Sequence, residues 1–139
     1  MKRTPAPSDS TRSLSGVMEM PLISIVDDDE SVRNALKSLI DSVGFRAEVF
    51  DSGEKFLNSP YLSQTDCLIT DVRMPGMSGL ELQDRLSAAG RSIPIVFISA
   101  HEDKEARARG LRAGAIDFLQ KPFSEDSLLG AISVCLDKS

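Results

Sequence analysis

Residues 22–33 read LISIVDDDESVR, a short apolar run followed by three aspartates and the start of an amphipathic stretch. In that stretch apolar residues recur at spacings of three and one, as they do on a helix with one buried face. These apolar residues are Val32, Ala35, Leu36, Leu39, Ile40 and Val43. Gly44 is suited to end such a helix. We therefore predict a strand over residues 22–26 and a helix that stops at Gly44.

An apolar run followed by an amphipathic stretch occurs five times after residue 21. The predicted strands cover residues 22–26, 45–49, 67–70, 95–98 and 116–120. The second strand alternates apolar and polar residues like an edge strand, whereas the third and fourth are continuous apolar runs, typical of interior parallel strands. Strands that alternate with helices imply right-handed crossovers. We predict an α/β fold of three layers, with a doubly wound parallel sheet between helices.

Two later helices carry further signals. Ser78 and Glu81 have the spacing of a capping box, so a helix is expected to begin at Ser78. Residues 102–113 are rich in alanine and charged residues, and Leu111 is their only large aliphatic side chain. We expect this fourth helix to be loosely held and to be the part of the fold that moves.

Size, charge and composition limit the function. With 139 residues, 41% of them hydrophobic, the chain has room for one compact domain. A net charge of −5 disfavours direct nucleic-acid contact, because phosphate backbones are bound by clustered Lys and Arg. No apolar run approaches the roughly 20 residues that cross a bilayer, so no membrane contact is expected.

The ends and the cysteines of the chain support two further expectations. Residues 1–20 are rich in Ser, Thr, Pro and Arg without apolar periodicity, so they are predicted to be a disordered tail before a folded domain over residues 21–139. Cys67 and Cys135 lack the spacing of a metal or disulfide site. Two lone thiols suit the reducing cytoplasm, where we expect the protein to be located.

Polar side chains follow four of the predicted strands. The first strand leads into Asp27, Asp28 and Asp29, the third into Asp71, the fourth into Ser99 and the fifth into Lys121. Ligands bind beyond the carboxyl ends of such strands, so these groups should share one rim. Clustered carboxylates repel one another, and their oxygen ligands favour Mg²⁺ or Mn²⁺. Asp71 then becomes a candidate nucleophile for phosphoryl transfer, with Lys121 and Ser99 facing the phosphoryl oxygens.

Plain structural explanations exist for each residue taken alone. Acidic residues such as Asp29 and Glu30 often only complement a helix N-terminus, and a lone Asp at a strand end is usually a cap. The joint placement favours chemistry over these explanations. An EF-hand is excluded, because the D-x-D-x-D-G spacing and the bidentate Glu are missing.

The motifs IVDDDESVR, LITDVRMPGMSGLEL, PIVFISA and AGAIDFLQKPF resemble those of two-component response-regulator receiver domains across residues 22–137. The resemblance implies a flavodoxin-like sheet of order 2-1-3-4-5 and phosphorylation of Asp71 by a histidine kinase or phosphotransfer protein. It also implies Mg²⁺ held by Asp28, Asp71 and the backbone carbonyl of Arg73, with Asp27 helping through water.

The same resemblance assigns a switch. Ser99 and Phe118 match a pair in which the hydroxyl moves toward the phosphoryl group and the ring turns inward, although Phe118 could simply be core. Lys121 would bond the phosphoryl group, and Lys121–Pro122 would be a cis peptide. Arg73 and His101, each two residues after a site residue, would influence how fast water reaches the phosphoaspartate, unless both simply face solvent.

The sequence does not indicate how a phosphorylated receiver would pass on its signal. The chain is either a natural single-domain regulator or the receiver part of a longer protein. A homodimer through the fourth helix, fifth strand and fifth helix could pair arginines with acidic residues such as Asp117 of a second copy, and the alternative is a solvated charged face. The arginines concerned are Arg107, Arg109 and Arg112.

Other function classes fit less well. A metal-dependent phosphatase with an aspartyl nucleophile needs a second Asp two residues later, where this chain has Arg73. A receiver fold that binds partners without phosphorylation is disfavoured, because every residue of the acceptor site is present. A nucleotide carrier would need a phosphate-cradling loop after the first strand, which carries carboxylates instead.

Overall fold

A computed structural model describes residues 20–138, so the tail predicted over residues 1–20 lies outside the described residues except for Met20. Within this range five strands alternate with five helices. They are β1 (Leu22–Val26), α1 (Glu30–Ser42), β2 (Arg46–Phe50), α2 (Gly53–Leu57), β3 (Cys67–Asp71), α3 (Gly79–Ala88), β4 (Ile95–Ser99), α4 (Lys104–Arg112), β5 (Asp117–Gln120) and α5 (Glu125–Lys138). A short 3₁₀ turn, Leu62–Gln64, precedes β3.

The five strands form one parallel sheet of order β2-β1-β3-β4-β5, which confirms the predicted topology. Strands β1, β3 and β4 are buried along their whole length, as their continuous apolar runs predict, whereas β2 lies at an edge. Because all strands run in one direction, their carboxyl ends meet at one edge of the sheet. The residues that follow these ends are therefore brought together.

Side chains on the two faces of the sheet fill two separate cores. Ile25 packs on one face with Leu36 and Ile40 of α1, in a core that α5 also joins. Val26, the next residue, belongs to the opposite core, in which Phe56 of α2 is fully buried. This arrangement confirms the three-layer sandwich. Full burial of such side chains stabilises the fold by roughly 1.5–3 kcal/mol each.

The helix ends follow the sequence signals. Gly44 has φ of 92°, a left-handed conformation that favours glycine, directly after α1 and its cap. The Ser78 hydroxyl accepts a hydrogen bond from Glu81 N, and the Glu81 carboxylate accepts one from Ser78 N, so the predicted capping box is present. Helix α3 is thus fixed at the end that faces the acidic edge.

Helix α4 has the weak apolar face that the sequence predicts, since its buried residues are Ala106 and Gly110. Gly110 permits a close approach, because a Cβ added there would lie 2.9 Å from the Phe97 ring. Arg109 Nη2 also lies 2.6 Å from Asp84 Oδ2 of α3. Helix α4 therefore packs through small residues, and its exposed ion pair with α3 adds little stability.

The two cysteines are neighbours in the core, which their spacing does not indicate. Cys67 of β3 and Cys135 of α5 are free thiols, both fully buried in the same core. A hydrogen bond with Cys135 is the main reason that the pKa of the Cys67 thiol lies well above its usual range, and burial raises the pKa further. Cys67 is therefore a packing residue with little thiolate character.

None of the helices described within residues 20–138 is long and apolar enough to span a membrane.

Candidate functional site

Three carboxylates meet where β1 and β3 end. Asp27 and Asp28 directly follow β1, and Asp71 is the last residue of β3. Each offers a carboxylate oxygen, and these oxygens lie within 4.8 Å of one another. The structure thus brings together the three aspartates that the sequence placed at one rim. Of the three aspartates, Asp28 is exposed, whereas Asp27 and Asp71 are buried.

Lys121, which directly follows β5, brings a positive charge to this cluster. Its Nζ lies 3.2 Å from Asp27 Oδ2 and 3.8 Å from Asp71 Oδ2. The other oxygen of Asp27, Oδ1, accepts a hydrogen bond of 2.9 Å from Asp29 N. The Lys121–Pro122 peptide bond is cis, in agreement with the resemblance. Lys121 therefore bridges the two buried carboxylates.

Burial is the main reason that the pKa of the Asp71 carboxyl lies above its ordinary value. The negative charge of Asp27 raises the pKa further, while Lys121 opposes the rise. One ammonium group thus compensates the clustered carboxylates only in part. A divalent cation would remove the remaining repulsion, and a donor set made only of oxygens suits Mg²⁺ or Mn²⁺. Arg73, whose carbonyl is an expected ligand, is close at hand, because its backbone N–H donates to Asp71 Oδ1 at 3.4 Å.

With divalent cations removed, we expect Asp71→Asn to stabilise the fold at pH 7. Because the pKa of Asp71 is raised in the folded protein, the folded state holds the proton more tightly than the unfolded state. Stability is therefore lost as pH rises from the ordinary pKa of an aspartate through the raised pKa of the folded state, and the asparagine variant escapes this loss. The gain at pH 7 should exceed that of a substitution that removes the same charge from an exposed position.

Urea unfolding in EDTA at pH 4 and pH 7 tests this expectation. The gain should be smaller at pH 4, where Asp71 is more nearly protonated in both states. The exposed Asp137 in α5 provides the matched control, since Asp137→Asn makes the same charge change away from the cluster. A variant that is no more stable than the wild type at pH 7 would contradict the assigned cost of burying the Asp71 charge beside Asp27.

The two residues of the predicted switch lie on neighbouring strands. Ser99 is buried at the end of β4, and its Oγ donates to the His101 carbonyl at 2.8 Å and accepts from His101 N at 3.2 Å. The Phe118 ring in β5 is also buried, with its centroid 6.0 Å from that of Phe97. The described bonds of the Ser99 hydroxyl are thus directed to its own loop, while the His101 side chain is exposed.

Two contacts near the site were not indicated by the sequence. Arg73 Nη2 lies 2.6 Å from Asp103 Oδ2, and Arg107 Nη1 donates to the Phe118 carbonyl at 2.9 Å. The Asp103 before K-E-A has the pattern of a helix N-cap, and it does cap α4. Its pairing with a residue thirty positions earlier carries no local signal.

Comparison with known sequences identifies relatives of this chain. The sequence profile described as the response regulator receiver domain matches residues 23–133. The chain is 50% identical over 115 residues to the response regulator protein TmoT of Ectopseudomonas mendocina, covering 83% of this chain and 52% of TmoT. It is 40% identical over 111 residues to the transcriptional regulatory protein FixJ of Bradyrhizobium diazoefficiens, covering 79% and 54%. The chain spans about half the length of these curated relatives.

Solved structures show the same fold. The response regulator StyR superposes with a TM-score of 0.79 at 50% identity, covering 85% of this chain and 60% of the StyR chain. The structure titled FixJ-N gives a TM-score of 0.78 at 34% identity, covering 86% of this chain and 96% of that one. The match extends over nearly all of the residues that the structure describes.

Proposed function

Because this chain belongs to the response regulator receiver domains, which act in phosphorylation-based signalling, we propose that Asp71 is its phosphoacceptor. We propose that a histidine kinase or a phosphotransfer protein supplies the phosphoryl group with the help of Mg²⁺. In this proposal residues 21–139 form the receiver domain, and its place of action is the cytoplasm. Its chemistry is limited to accepting the phosphoryl group and losing it to water.

One observation carries this proposal. The carboxylates of Asp27, Asp28 and Asp71 converge within 4.8 Å, and Lys121 Nζ lies 3.8 Å from Asp71 Oδ2. In its ionised form, a carboxylate beside an ammonium group can attack phosphorus without a general base. The positive charge of Lys121 is placed to stabilise the phosphoryl oxygens in the transition state.

The proposed reaction is a direct transfer between the donor and Asp71. A carboxylate oxygen of Asp71 forms the new O–P bond, and the bond between phosphorus and the donor breaks, so that its electron pair stays with the donor atom. Hydrolysis ends the signal: water attacks phosphorus, inorganic phosphate leaves and the Asp71 carboxylate is regenerated. Both steps need the oxygens of the phosphoryl group to be neutralised.

The donor set at this edge fits a magnesium ion. We propose that Asp28, Asp71 and the backbone carbonyl of Arg73 would hold Mg²⁺ or Mn²⁺, with Asp27 helping to position it. When bound, such an ion supplies positive charge that neutralises phosphoryl oxygens. Asp28 is exposed and Asp27 is fully buried, so the site would open to solvent on the Asp28 side.

A switch at α4 and β5 would convert phosphorylation into partner binding. We propose that the Ser99 hydroxyl exchanges its bond to the His101 carbonyl for one to the phosphoryl group. Phe118 would respond, since β4 and β5 are paired and its ring packs against Phe97. Arg107 of α4, bonded to the Phe118 carbonyl, would pass the change to the helix surface.

Incubation with acetyl phosphate tests the acceptor chemistry directly. We expect intact-mass spectrometry to show the addition of one phosphoryl group in the presence of Mg²⁺ and none in EDTA. Acetate is the leaving group, so no kinase is required. A protein that gains no mass under either condition would instead be a receiver fold that binds partners independently of phosphorylation.

A phosphorylation-dependent homodimer through α4, β5 and α5 is the proposed output. Val134 is an exposed aliphatic side chain on α5, whereas Arg107 and Arg109 already have partners within the chain. Asp117 Oδ1 accepts from Phe118 N of its own chain, so an intermolecular pair with Asp117 would have to share that oxygen or use the other one. Arg112 is the exposed arginine we expect to contribute most.

Sedimentation measures this dimer. With Mg²⁺ and BeF₃⁻, a mimic of the phosphoryl group, we expect the wild type to shift toward a dimer and Arg112→Ala to shift less. Lys104→Ala, at the other end of α4, removes the same charge and serves as the control. Monomers both with and without BeF₃⁻ would remove the dimer from the proposal without affecting the acceptor chemistry.

A further inference from the structure

A salt bridge joins the two loops that follow Asp71 and Ser99. Arg73 lies in the loop after β3, and Asp103 lies in the loop after β4, just before α4. The distance from Arg73 Nη2 to Asp103 Oδ2 is 2.6 Å, within the short range of charge-assisted hydrogen bonds. Because β3 and β4 are paired and end at the same edge, the bridge lies beside the acidic cluster.

Asp103 is anchored, whereas Arg73 is not. Asp103 Oδ1 accepts a hydrogen bond of 3.0 Å from Ala106 N, which caps α4, and leaves Oδ2 for the guanidinium. The Asp103 side chain is 20% exposed, compared with 61% for Arg73. The helix cap therefore determines where the exposed end of the Arg73 side chain rests.

Phosphorylation would place a competitor next to this bridge. The backbone N–H of Arg73 already lies 3.4 Å from Asp71 Oδ1, so a phosphoryl group on Asp71 would form close to the start of the Arg73 side chain. Such a group carries close to two negative charges, and the planar guanidinium binds phosphate oxygens in a bidentate manner. A single carboxylate that is already used as a helix cap is the weaker partner.

We propose that Asp103 is a positioning residue for the acceptor: it holds the Arg73 guanidinium away from the phosphoryl position, and phosphorylation of Asp71 draws Arg73 off it. This inference rests on the proposed function. The start of α4 then loses its tie to the loop after β3 and keeps only its own cap. The contact between Arg73 and Asp103 thereby links the charge on Asp71 to the freedom of α4.

Linkage gives the direction of the effect. A bridge that must open for phosphorylation opposes it, so weakening the bridge favours the phosphorylated state by at most the same factor. Asp103→Asn is the suitable change, because asparagine caps helices as well as aspartate but lacks the charge that holds Arg73. An ion pair of this exposure contributes about 0.2–1 kcal/mol, which corresponds to at most about a fivefold change.

The test compares phosphorylation by acetyl phosphate and Mg²⁺ in a double-mutant cycle, followed by intact-mass spectrometry. We expect Asp103→Asn to raise the ratio of phosphorylated to free protein at steady state by about 1.4-fold to fivefold. In an Arg73→Ala background the same substitution should have no effect, since nothing remains to be released. The melting temperature of Asp103→Asn should stay close to that of the wild type.

Glu102→Gln provides the matched control, because it removes one negative charge from the same loop at an exposed position. An equal rise with Glu102→Gln, or a rise with Asp103→Asn that persists without Arg73, would show a general charge effect and overturn the inference. Should Asp103→Asn fail to fold, Arg73→Lys tests the bridge from its other side, since lysine lacks the planar fork and should shift the ratio in a salt-dependent way.

Phosphorylation of the wild type distinguishes a failure of the Asp103 role from a failure of the proposed function. A wild type that is phosphorylated on Asp71, together with an Asp103→Asn variant that behaves identically, would overturn the role of Asp103 and leave the proposed function intact. A wild type that accepts no phosphoryl group would overturn both.

Discussion

The Asp71→Asn variant is expected to lose uptake of the phosphoryl group from acetyl phosphate by at least about 100-fold, because asparagine offers no anionic oxygen to attack phosphorus. The substitution keeps the size and shape of the side chain. It also removes a negative charge whose burial, and whose repulsion by Asp27, raise the pKa of Asp71, so the variant should fold at least as well as the wild type. Intact-mass spectrometry after a timed incubation with Mg²⁺ measures the loss.

Asp137→Asn is the control for this experiment, since it removes the same charge from an exposed position in α5. Its uptake should equal that of the wild type. Uptake by Asp71→Asn at more than a tenth of the wild-type rate would mean that another side chain accepts the phosphoryl group. Asp27 and Asp28 would then be the alternatives, because their carboxylates share the cluster.

The second large effect concerns Gly79, the first residue of α3. A Cβ added at this position would lie 2.2 Å from the carbonyl oxygen of Asp71 and 3.2 Å from Cε1 of Phe97. The first of these atoms is backbone at the end of β3, so it cannot move without displacing the acceptor itself. We expect Gly79→Ala to lower the free energy of unfolding by about 3 kcal/mol and to impair phosphorylation in the fraction that remains folded.

Gly130→Ala is a matched control with the opposite sign. Gly130 lies in α5 and is exposed, and an added Cβ would find no atom within 4 Å. Alanine has the higher helix propensity, so this variant should gain roughly 0.5–1 kcal/mol. Urea unfolding of both variants tests the pair. Similar stabilities for the two would contradict the close approach between α3 and the end of β3.

Much of the fold could be predicted because it depends on local pattern. Local preferences predicted three features that the structure confirms: the buried strands β3 and β4, the end of α1 before a glycine, and the capping box at Ser78. Periodicity also predicted parallel strands in three layers. It did not predict the order of the strands, which came from the resemblance of the motifs to receiver domains. The meeting of the three aspartates followed from the parallel strands, whose carboxyl ends lie at one edge of the sheet.

The remaining features depend on distances that a sequence does not contain. The bridge from Arg73 to Asp103 and the contact between Cys67 and Cys135 each join residues far apart in the chain. The approach of α4 to Phe97 needs a glycine at one position, and a helix with a weak apolar face gives no sign of it. Side-chain direction is equally hidden, as the bonds of the Ser99 hydroxyl to its own loop illustrate.

The central claim is that Asp71 carries the phosphoryl group, and the most direct measurement locates that group in the chain. Borohydride reduces an aspartyl phosphate to homoserine, so the protein would be treated with acetyl phosphate and Mg²⁺, reduced, digested and sequenced by tandem mass spectrometry. We expect homoserine at position 71 and unmodified aspartate at positions 27 and 28. Homoserine at either of those two positions, or its absence from all three, would contradict the account.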